Sequence, residues 1–294
     1  MVTRIGHVGL RVPDLERSVA HAQRFLGLRE VDRSESVSYL TCNQRHHELV
    51  LIASNDLACD HLALEVPNAA ALDEAKAMLR ADRLKILSDE PEELGIEGAV
   101  RFVGPGGLVF ELFHGMQADQ PLAYDTVGVR PRKFEHITVK STRKAEMEAF
   151  LERLGFRLSD RSGDSISWFR CGPEHHGFSV IAAESDQLQH YAWQIDGWDA
   201  IRRMGDHLAR NGKAFLWGPG HHGIGDNYFC YFFDDDGAVV EYSAGMLRVD
   251  DEHSYVPRTW PDEPLSVNRW GNPPPPPEFF EAGIPAAARA AVLR

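Results

Sequence analysis

The sequence has few cysteines, no long apolar run and no excess of positive charge. Its four cysteines, Cys42, Cys59, Cys171 and Cys230, form no C-x-x-C pair, which excludes a disulfide framework and the common thiolate zinc sites. No apolar run approaches the ~20 residues of a membrane span. The chain has 31 Lys+Arg against 44 Asp+Glu, which argues against a nucleic-acid partner. We therefore predict a cytoplasmic protein without a targeting segment, in which His and carboxylate side chains hold any metal.

The 294 residues, 43% of them hydrophobic, suffice for about two domains of ~150 residues. The sequence repeats itself as four quarters, and each quarter reads as a strand, a helix and three strands. One quarter shows this order as DHLALEV, NAAALDEAKAMLRA, AVRFVG and LVFELF. We predict an α+β fold of four βαβββ units that form two half-open barrel domains with an irregular C-terminal tail. The predicted boundaries are 1–117 for the first domain, 118–131 for a linker, 132–247 for the second domain and 248–294 for the tail.

Alternate residues of a strand face the same side, and this parity indicates which side chains point into each barrel. In KFEHITVKS it places Phe134, His136 and Thr138 on one face. His190, Glu241 and Tyr231 lie on comparable faces of later strands, so three metal ligands and a phenol share one cavity. Two histidines and one carboxylate form the facial set that holds non-haem Fe(II), although the same residue types also suit Zn or Mn.

The two halves repeat four polar positions at an offset of 129 or 130 residues. In each half two of these positions are histidines 54 residues apart, as in His7 and His61. A third histidine lies 14 residues before the second of the pair, as His47 lies before His61. This agreement indicates that one ancestral site was duplicated. The repeated positions are His7, His47, His61 and Glu111 in the first half and His136, His176, His190 and Glu241 in the second half.

The segments FEHITVKS, CGPEHHGFSVI, QHYAWQI and WGPGHHGIGDNYFCYFFDDDGAVVEYSAGM resemble the type I extradiol ring-cleaving dioxygenases of the vicinal-oxygen-chelate superfamily. The resemblance covers nearly the whole chain. The tail, PLSVNRWGNPPPPPEFFEAG, is similar to the one that closes the pocket in homoprotocatechuate 2,3-dioxygenases.

This resemblance implies a role for each matching residue. It assigns the Fe(II) ligands to His136, His190 and Glu241, and the acid–base histidine to His176. His222, with the adjacent His221 as the alternative, and Tyr231 match the residues that donate hydrogen bonds to the chelated substrate or to O2. Expected substrate contacts are Thr138, Phe178, Arg269 and Trp270.

The first half departs from this pattern at one inward position. Arg101 precedes Glu111 by ten residues, where Tyr231 precedes Glu241 by ten, and EELGIEGA replaces the GPGHHGIGDN loop. A guanidinium in the barrel repels a divalent cation and can pair with the carboxylate. We therefore predict an Arg101–Glu111 pair and no catalytic metal in the first half.

Together these features predict a homo-oligomeric Fe(II) enzyme, with Mn(II) as the alternative metal, that inserts both atoms of O2 into a catecholic ring beside its diol. An isomerase, epimerase or lyase with a Lewis-acid metal, or a small-molecule-binding protein of this fold, are the alternatives. The sequence leaves open the ring substituent, the bond cleaved, and whether the terminal AAARAAVLR is a short helix or an unstructured end.

Overall fold

The computed structural model describes residues 1–271 and 273–287, and over them the chain forms two mixed β-sheets with one long helix in each predicted unit. The order strand, helix, three strands recurs four times before the tail, which confirms the predicted α+β fold. Most of AAARAAVLR lies outside the described residues. No helix within the described ranges is long and apolar enough to cross a membrane.

The first half contains two βαβββ units and a short 3₁₀ helix at Pro105–Gly107. Its elements are β1 (Arg4–Val12), α1 (Leu15–Arg24), β2 (Arg29–Arg33), β3 (Val37–Thr41), β4 (Leu49–Ala53), β5 (Ala58–Glu65), α2 (Ala69–Ala81), β6 (Ile86–Ser88), β7 (Gly98–Val103) and β8 (Val109–His114).

The second half contains two further units and the tail elements. They are β9 (Lys133–Ser141), α3 (Lys144–Arg153), β10 (Arg157–Ser162), β11 (Ile166–Arg170), β12 (Phe178–Ala182), β13 (Gln187–Gln194), α4 (Trp198–Arg210), β14 (Trp217–His221), β15 (Tyr228–Phe233), β16 (Val239–Ala244), β17 (Arg258–Trp260), α5 (Pro264–Val267), α6 (Pro277–Glu281) and β18 (Ile284–Pro285).

Local sequence explains where the first helix begins and ends. The hydrophobic spacing predicts a helix over 13–28, whereas α1 is shorter because the Asp14 side chain caps it by accepting from Arg17 N at 3.0 Å. Gly27 adopts φ +61°, and a Cβ there would lie 2.6 Å from the Val129 carbonyl oxygen. The left-handed residue turns the chain out of the helix into β2.

The two sheets share one arrangement. Their strand orders are β2-β3-β4-β1-β5-β8-β7-β6 and β14-β15-β16-β13-β9-β12-β11-β10-β17, with β18 paired to β13. In each sheet the first strands of the two units, β1 and β5 or β9 and β13, pair antiparallel at the centre. The last strand of a unit lies parallel to its first strand, as β16 does beside β13. This arrangement brings ligands from three strands to one concave face.

Two bulges in the central pair β9/β13 break the simple alternation. The pairing shifts between Leu188 and His190, and again between Ala192 and Trp193 opposite β9, so Gln189 and Glu135 are extra residues. A bulge lets adjacent side chains point to the same side. The bulge at Glu135 also changes the side to which Phe134 points. Phe134 packs against Trp193 in the core, with 5.3 Å between ring centroids, so the prediction that it faces the cavity is wrong.

Candidate metal centre

His136, His190 and Glu241 meet on β9, β13 and β16, and each is at most 6% exposed. The His136 Nε2 atom lies 3.3 Å from His190 Nε2 and 2.9 Å from Glu241 Oε2, and His190 Nε2 lies 3.1 Å from the same oxygen. Metal–ligand bonds of about 2.1 Å at right angles place ligand atoms about 3.0 Å apart. The three side chains therefore fit one face of an octahedral divalent metal.

The outer nitrogen of each histidine has an acceptor of its own. His136 Nδ1 donates to Glu135 Oε2 at 3.2 Å, and His190 Nδ1 donates to the Gln189 side-chain oxygen. The Gln189 amide nitrogen donates to Phe279 O at 3.0 Å, which fixes the orientation of the amide. With the proton on Nδ1, both Nε2 lone pairs face the centre, as a metal-binding histidine requires.

Sequence reasoning missed these two supporting residues. Glu135 and Gln189 directly precede the predicted ligands, but ordinary strand alternation would point them away from the barrel. Only the bulges bring them to the same side as the histidines. A polar residue next to a candidate ligand was the available signal.

Charge around the ligands keeps the carboxylate ionised. Burial raises the pKa of Glu241, but His136 and His190 outweigh that effect and hold it well below its usual value. Burial lowers the pKa of His136, but Glu241 and Glu135 reverse the effect and raise it to about 9. The site thus has a net affinity for positive charge, whether a proton or a metal ion supplies it.

A cavity of about 510 Å³ opens onto the three ligands, and Thr138, His176, His222 and Tyr231 also line it. The His222 Nδ1 atom donates to the Val267 carbonyl at 2.6 Å, so its Nε2 can accept from the Tyr231 hydroxyl at 3.2 Å. Burial lowers the pKa of His222 to about 4. A neutral His222 and a protonated Tyr231 therefore face the cavity as a hydrogen-bonded pair.

His176 approaches the same centre from the turn before β12. Its ring centroid lies 4.6 Å from that of His136. Burial, and then the neighbouring His136, hold the pKa of His176 well below its usual value. The imidazole is therefore neutral, and it lies at the cavity wall without being one of the three ligands.

The structure places the other expected substrate contacts away from the cavity. Phe178 lies in the core beside Phe110 and Phe156, because Ser179 and Ile181 take the cavity face of β12. Neither Arg269 nor Trp270 is among the residues that line the cavity.

Both of these residues lie on the outer side of the tail. Arg269 pairs with Asp226 at 2.9 Å. Trp270 packs against Trp198 and is 49% exposed. Neither side chain contacts the cavity that contains the ligands.

The first half builds a different site from the matching positions. Arg101 Nε donates to Glu111 Oε2 at 2.6 Å, which confirms the predicted pair. Its Nη2 lies 2.6 Å from Oε1 of Glu93, a residue that the sequence reasoning missed. The other Glu93 oxygen lies 2.8 Å from His7 Nε2 and 3.2 Å from His47 Nε2. Glu93 precedes His222 by 129 positions, which is the offset of the duplication. The two residues therefore occupy matching positions in the two halves.

The first half also brings His7, His61, Glu93 and Glu111 together as a group that could hold a metal ion, but Arg101 already pairs with both carboxylates. His7 Nδ1 has no hydrogen-bond partner, because Gly6 stands where the second half has Glu135. His61 donates from Nδ1 to Asp60 at 3.0 Å, and its Nε2 lies 3.1 Å from both Glu93 Oε1 and His7 Nε2. Burial and Arg101 lower its pKa, but these carboxylates outweigh them and raise it to about 9. The positive charge of Arg101 beside Glu93 and Glu111 therefore distinguishes the first half from the second.

We therefore expect His7→Ala to leave the metal content at about one per chain, because His7 lies against Glu93, a carboxylate that already pairs with Arg101. Metal analysis of wild type and variant after anaerobic reconstitution checks this. A content of about two that falls to one in the variant would show that the first half binds metal.

Comparison with known proteins identifies relatives of the whole chain. Residues 4–112 and 133–242 both match the model of the glyoxalase/bleomycin resistance protein/dioxygenase superfamily. The manganese-dependent 2,3-dihydroxybiphenyl 1,2-dioxygenase of Geobacillus genomosp. 3 is 27% identical over 292 residues, which cover 90% of this chain and 91% of that protein.

Solved structures show the same architecture. Homoprotocatechuate 2,3-dioxygenase from Arthrobacter globiformis superposes with a TM-score of 0.90 at 23% identity, covering 97% of this chain and 93% of that one. The Mn(II)-bound glyoxalase from Novosphingobium aromaticivorans superposes with a TM-score of 0.86 at 27% identity, covering 97% and 95%.

Proposed function

Because the chain belongs to the glyoxalase/bleomycin resistance protein/dioxygenase superfamily, we propose that it is a metal-dependent extradiol dioxygenase. Its substrate is a catecholic ring, which it opens beside the diol by inserting both atoms of O2. The observation that carries the proposal is the facial His136–His190–Glu241 set, which leaves the opposite side free and facing a cavity lined by His176 and Tyr231.

The metal we propose is Fe(II), with Mn(II) as the alternative. Two imidazoles and a carboxylate suit either ion, and the relative from Geobacillus genomosp. 3 is named as manganese-dependent. When bound, the metal supplies the open coordination positions for both reactants and the electron transfer between them. His136, His190 and Glu241 would hold it.

The other cavity residues move and hold protons. A catechol loses a proton when it chelates, and the neutral His176 imidazole can accept that proton at the cavity wall and return it later. The Tyr231 hydroxyl can donate a hydrogen bond to a reacting oxygen on which negative charge develops. The neutral His222, whose Nδ1 proton is held by the Val267 carbonyl, acts by contacting that hydroxyl through its Nε2. The tail covers the cavity through residues such as Val267 and Phe279, which limits the access of water.

The lining of the cavity favours a substrate without a carboxylate. Among the described residues that line it, none is Lys or Arg, and two carboxylates besides Glu241, namely Asp262 and Glu263, form part of its wall. The remaining wall is rich in apolar side chains, namely Ile166, Trp168, Ile181, Trp217, Ile224 and Phe279. Enclosing a carboxylate there without a cationic partner is costly. We propose that the ring substituent is neutral and apolar.

The experiment is O2 uptake and product analysis with protein reconstituted anaerobically with Fe(II) or Mn(II). A matched pair, 4-ethylcatechol and 3,4-dihydroxyphenylacetate, differs by the carboxylate. We expect kcat/KM for ring cleavage to be at least about tenfold higher for 4-ethylcatechol than for 3,4-dihydroxyphenylacetate. The carboxylate of the acid would lose its hydration in the cavity without gaining a cationic partner. No O2 uptake with either metal would reject the dioxygenase, and a preference for the acid would reject the substrate class alone.

A metal-dependent isomerase or lyase is the second candidate, favoured by the likeness to the Mn(II)-bound glyoxalase. Such an enzyme consumes no O2, because its metal acts only as a Lewis acid. Turnover of a hemithioacetal by the reconstituted protein, without O2 uptake on catechols, would favour this candidate.

A further inference from the structure

A chain of buried side chains runs from His176 away from the cavity. His176 Nδ1 lies 3.1 Å from His175 Nδ1, and His175 Nε2 lies 3.2 Å from Asp160 Oδ2. All three residues are at most 4% exposed. Gly225 packs against both histidines, and a Cβ there would lie 3.2 Å from the His176 ring.

Hydrogen-bond donors and acceptors along this chain allow one assignment with a neutral His175. The Asp160 carboxylate only accepts, so His175 Nε2 carries the proton between them. Its Nδ1 is then a lone pair, and the facing Nδ1 of His176 must donate to it. That leaves the Nε2 lone pair of His176 free, in the tautomer that a proton acceptor at the cavity wall needs.

The C-terminal tail seals this chain from solvent. Asp160 accepts from the Trp260 indole at 2.7 Å, from Arg258 N at 2.8 Å and from the Tyr255 hydroxyl at 3.3 Å. Strand β17 makes two of these bonds while pairing parallel with β10. These donors, with His175, outweigh the burial that raises the pKa of Asp160 and keep it below its usual value.

The first half contains a matching series of side chains, His47, His46 and Asp32, but no described residue of the tail covers it. His46 and His47 face each other at 2.9 Å between their Nδ1 atoms, and the His46 Nε2 atom lies 3.8 Å from Asp32. The Asp32 side chain is 44% exposed, whereas that of Asp160 is 4% exposed. Both halves therefore contain the three side chains, but the tail shields from solvent only the copy next to the candidate metal centre.

We propose that His175 and Asp160 are positioning residues for His176, and that strand β17 of the tail completes them by sealing Asp160. This inference rests on the proposed function, in which His176 accepts the catechol proton. The contacts from His176 Nδ1 to His175 and from His175 Nε2 to Asp160 fix the orientation of the His176 ring and leave its Nε2 lone pair free.

The test is Asp160→Asn, with Asp32→Asn as the matched control in the first half. An asparagine can donate to His175 Nε2 and so reverse both tautomers. We expect Asp160→Asn to retain metal and catechol affinity but to lower kcat by about 10²-fold, the lower end of what a general acid–base group contributes. Trp260→Phe, which removes one donor to Asp160, should lower kcat less, and Asp32→Asn should not change it.

Two further measurements separate positioning from mere structural support. In a His176→Phe background, Asp160→Asn should have no additional effect on kcat, because the two residues act as one unit. A persistent additional loss, or an equal loss in Asp32→Asn, would overturn the proposal.

Histidine ¹⁵N NMR of the metal-free protein reads the tautomer without any activity. We expect His176 to carry its proton on Nδ1 in wild type and to lose that preference in Asp160→Asn. A wild-type His176 protonated on Nε2 would overturn the inference, even if ring cleavage were established. The expected tautomer together with no O2 uptake would reject the proposed function and leave the positioning role standing.

Discussion

Replacing Glu241 by alanine is expected to remove the metal from the protein and abolish ring cleavage. Glu241 is the anionic ligand of the set, and its Oε2 atom lies within 3.1 Å of both histidine nitrogens. Two neutral imidazoles without a carboxylate bind a hard divalent ion much more weakly. Metal analysis after dialysis, with circular dichroism for the fold, should show content falling from about one per chain to near zero.

The matched pair Glu241→Gln and Glu111→Gln separates loss of a ligand from loss of a buried charge. Each variant keeps the side-chain size and removes a carboxylate that is at most 1% exposed. Only Glu241→Gln should lose metal, whereas Glu111→Gln should lower stability because it leaves Arg101 with one partner fewer. Full metal content in Glu241→Ala would show that the ligand assignment is wrong.

The second large effect is expected from His176→Phe, which should slow turnover by about 10²–10⁴-fold while metal and catechol remain bound. Phenylalanine preserves the ring that packs 4.6 Å from His136 but cannot accept a proton. Stopped-flow measurement of ring cleavage, with anaerobic titration of a catechol, separates turnover from binding.

His47→Phe is the control, because His47 occupies the duplicated position in the first half and contacts Glu93 at 3.2 Å. It should leave turnover unchanged within about twofold, as expected of a site that does no chemistry. Wild-type turnover in His176→Phe would move the acid–base role to another group.

Some of the predicted strands carry only a weak signal in the sequence. The first strand after three of the four long helices, namely β2, β6 and β14, lies at a sheet edge, and REVDR of β2 has little hydrophobic alternation. An edge strand packs fewer side chains, so its sequence carries a weaker signal. The strands that hold the ligands are central and buried, and their periodicity was plain.

The sequence by itself determined the repeated unit, the strand positions of His136, His190 and Glu241, and the Arg101–Glu111 pair. These follow from the period-two alternation of strands and from the internal repeat. Both patterns can be recognised in the sequence without knowing how distant segments pack. The tertiary structure alone decided what supports each ligand, because bulges at Glu135 and Gln189 reverse the local alternation.

Tertiary structure also decided which charged groups surround each copy of the duplicated site. Glu93 reaches His7 and Arg101 from a loop, and β17 reaches Asp160 from 98 or more residues away in the chain. Such contacts depend on where loops and the tail pack, and no periodic pattern encodes that. The candidate ligands could therefore be predicted from the sequence, but their electrostatic surroundings could not, since those arise from residues brought together only by folding.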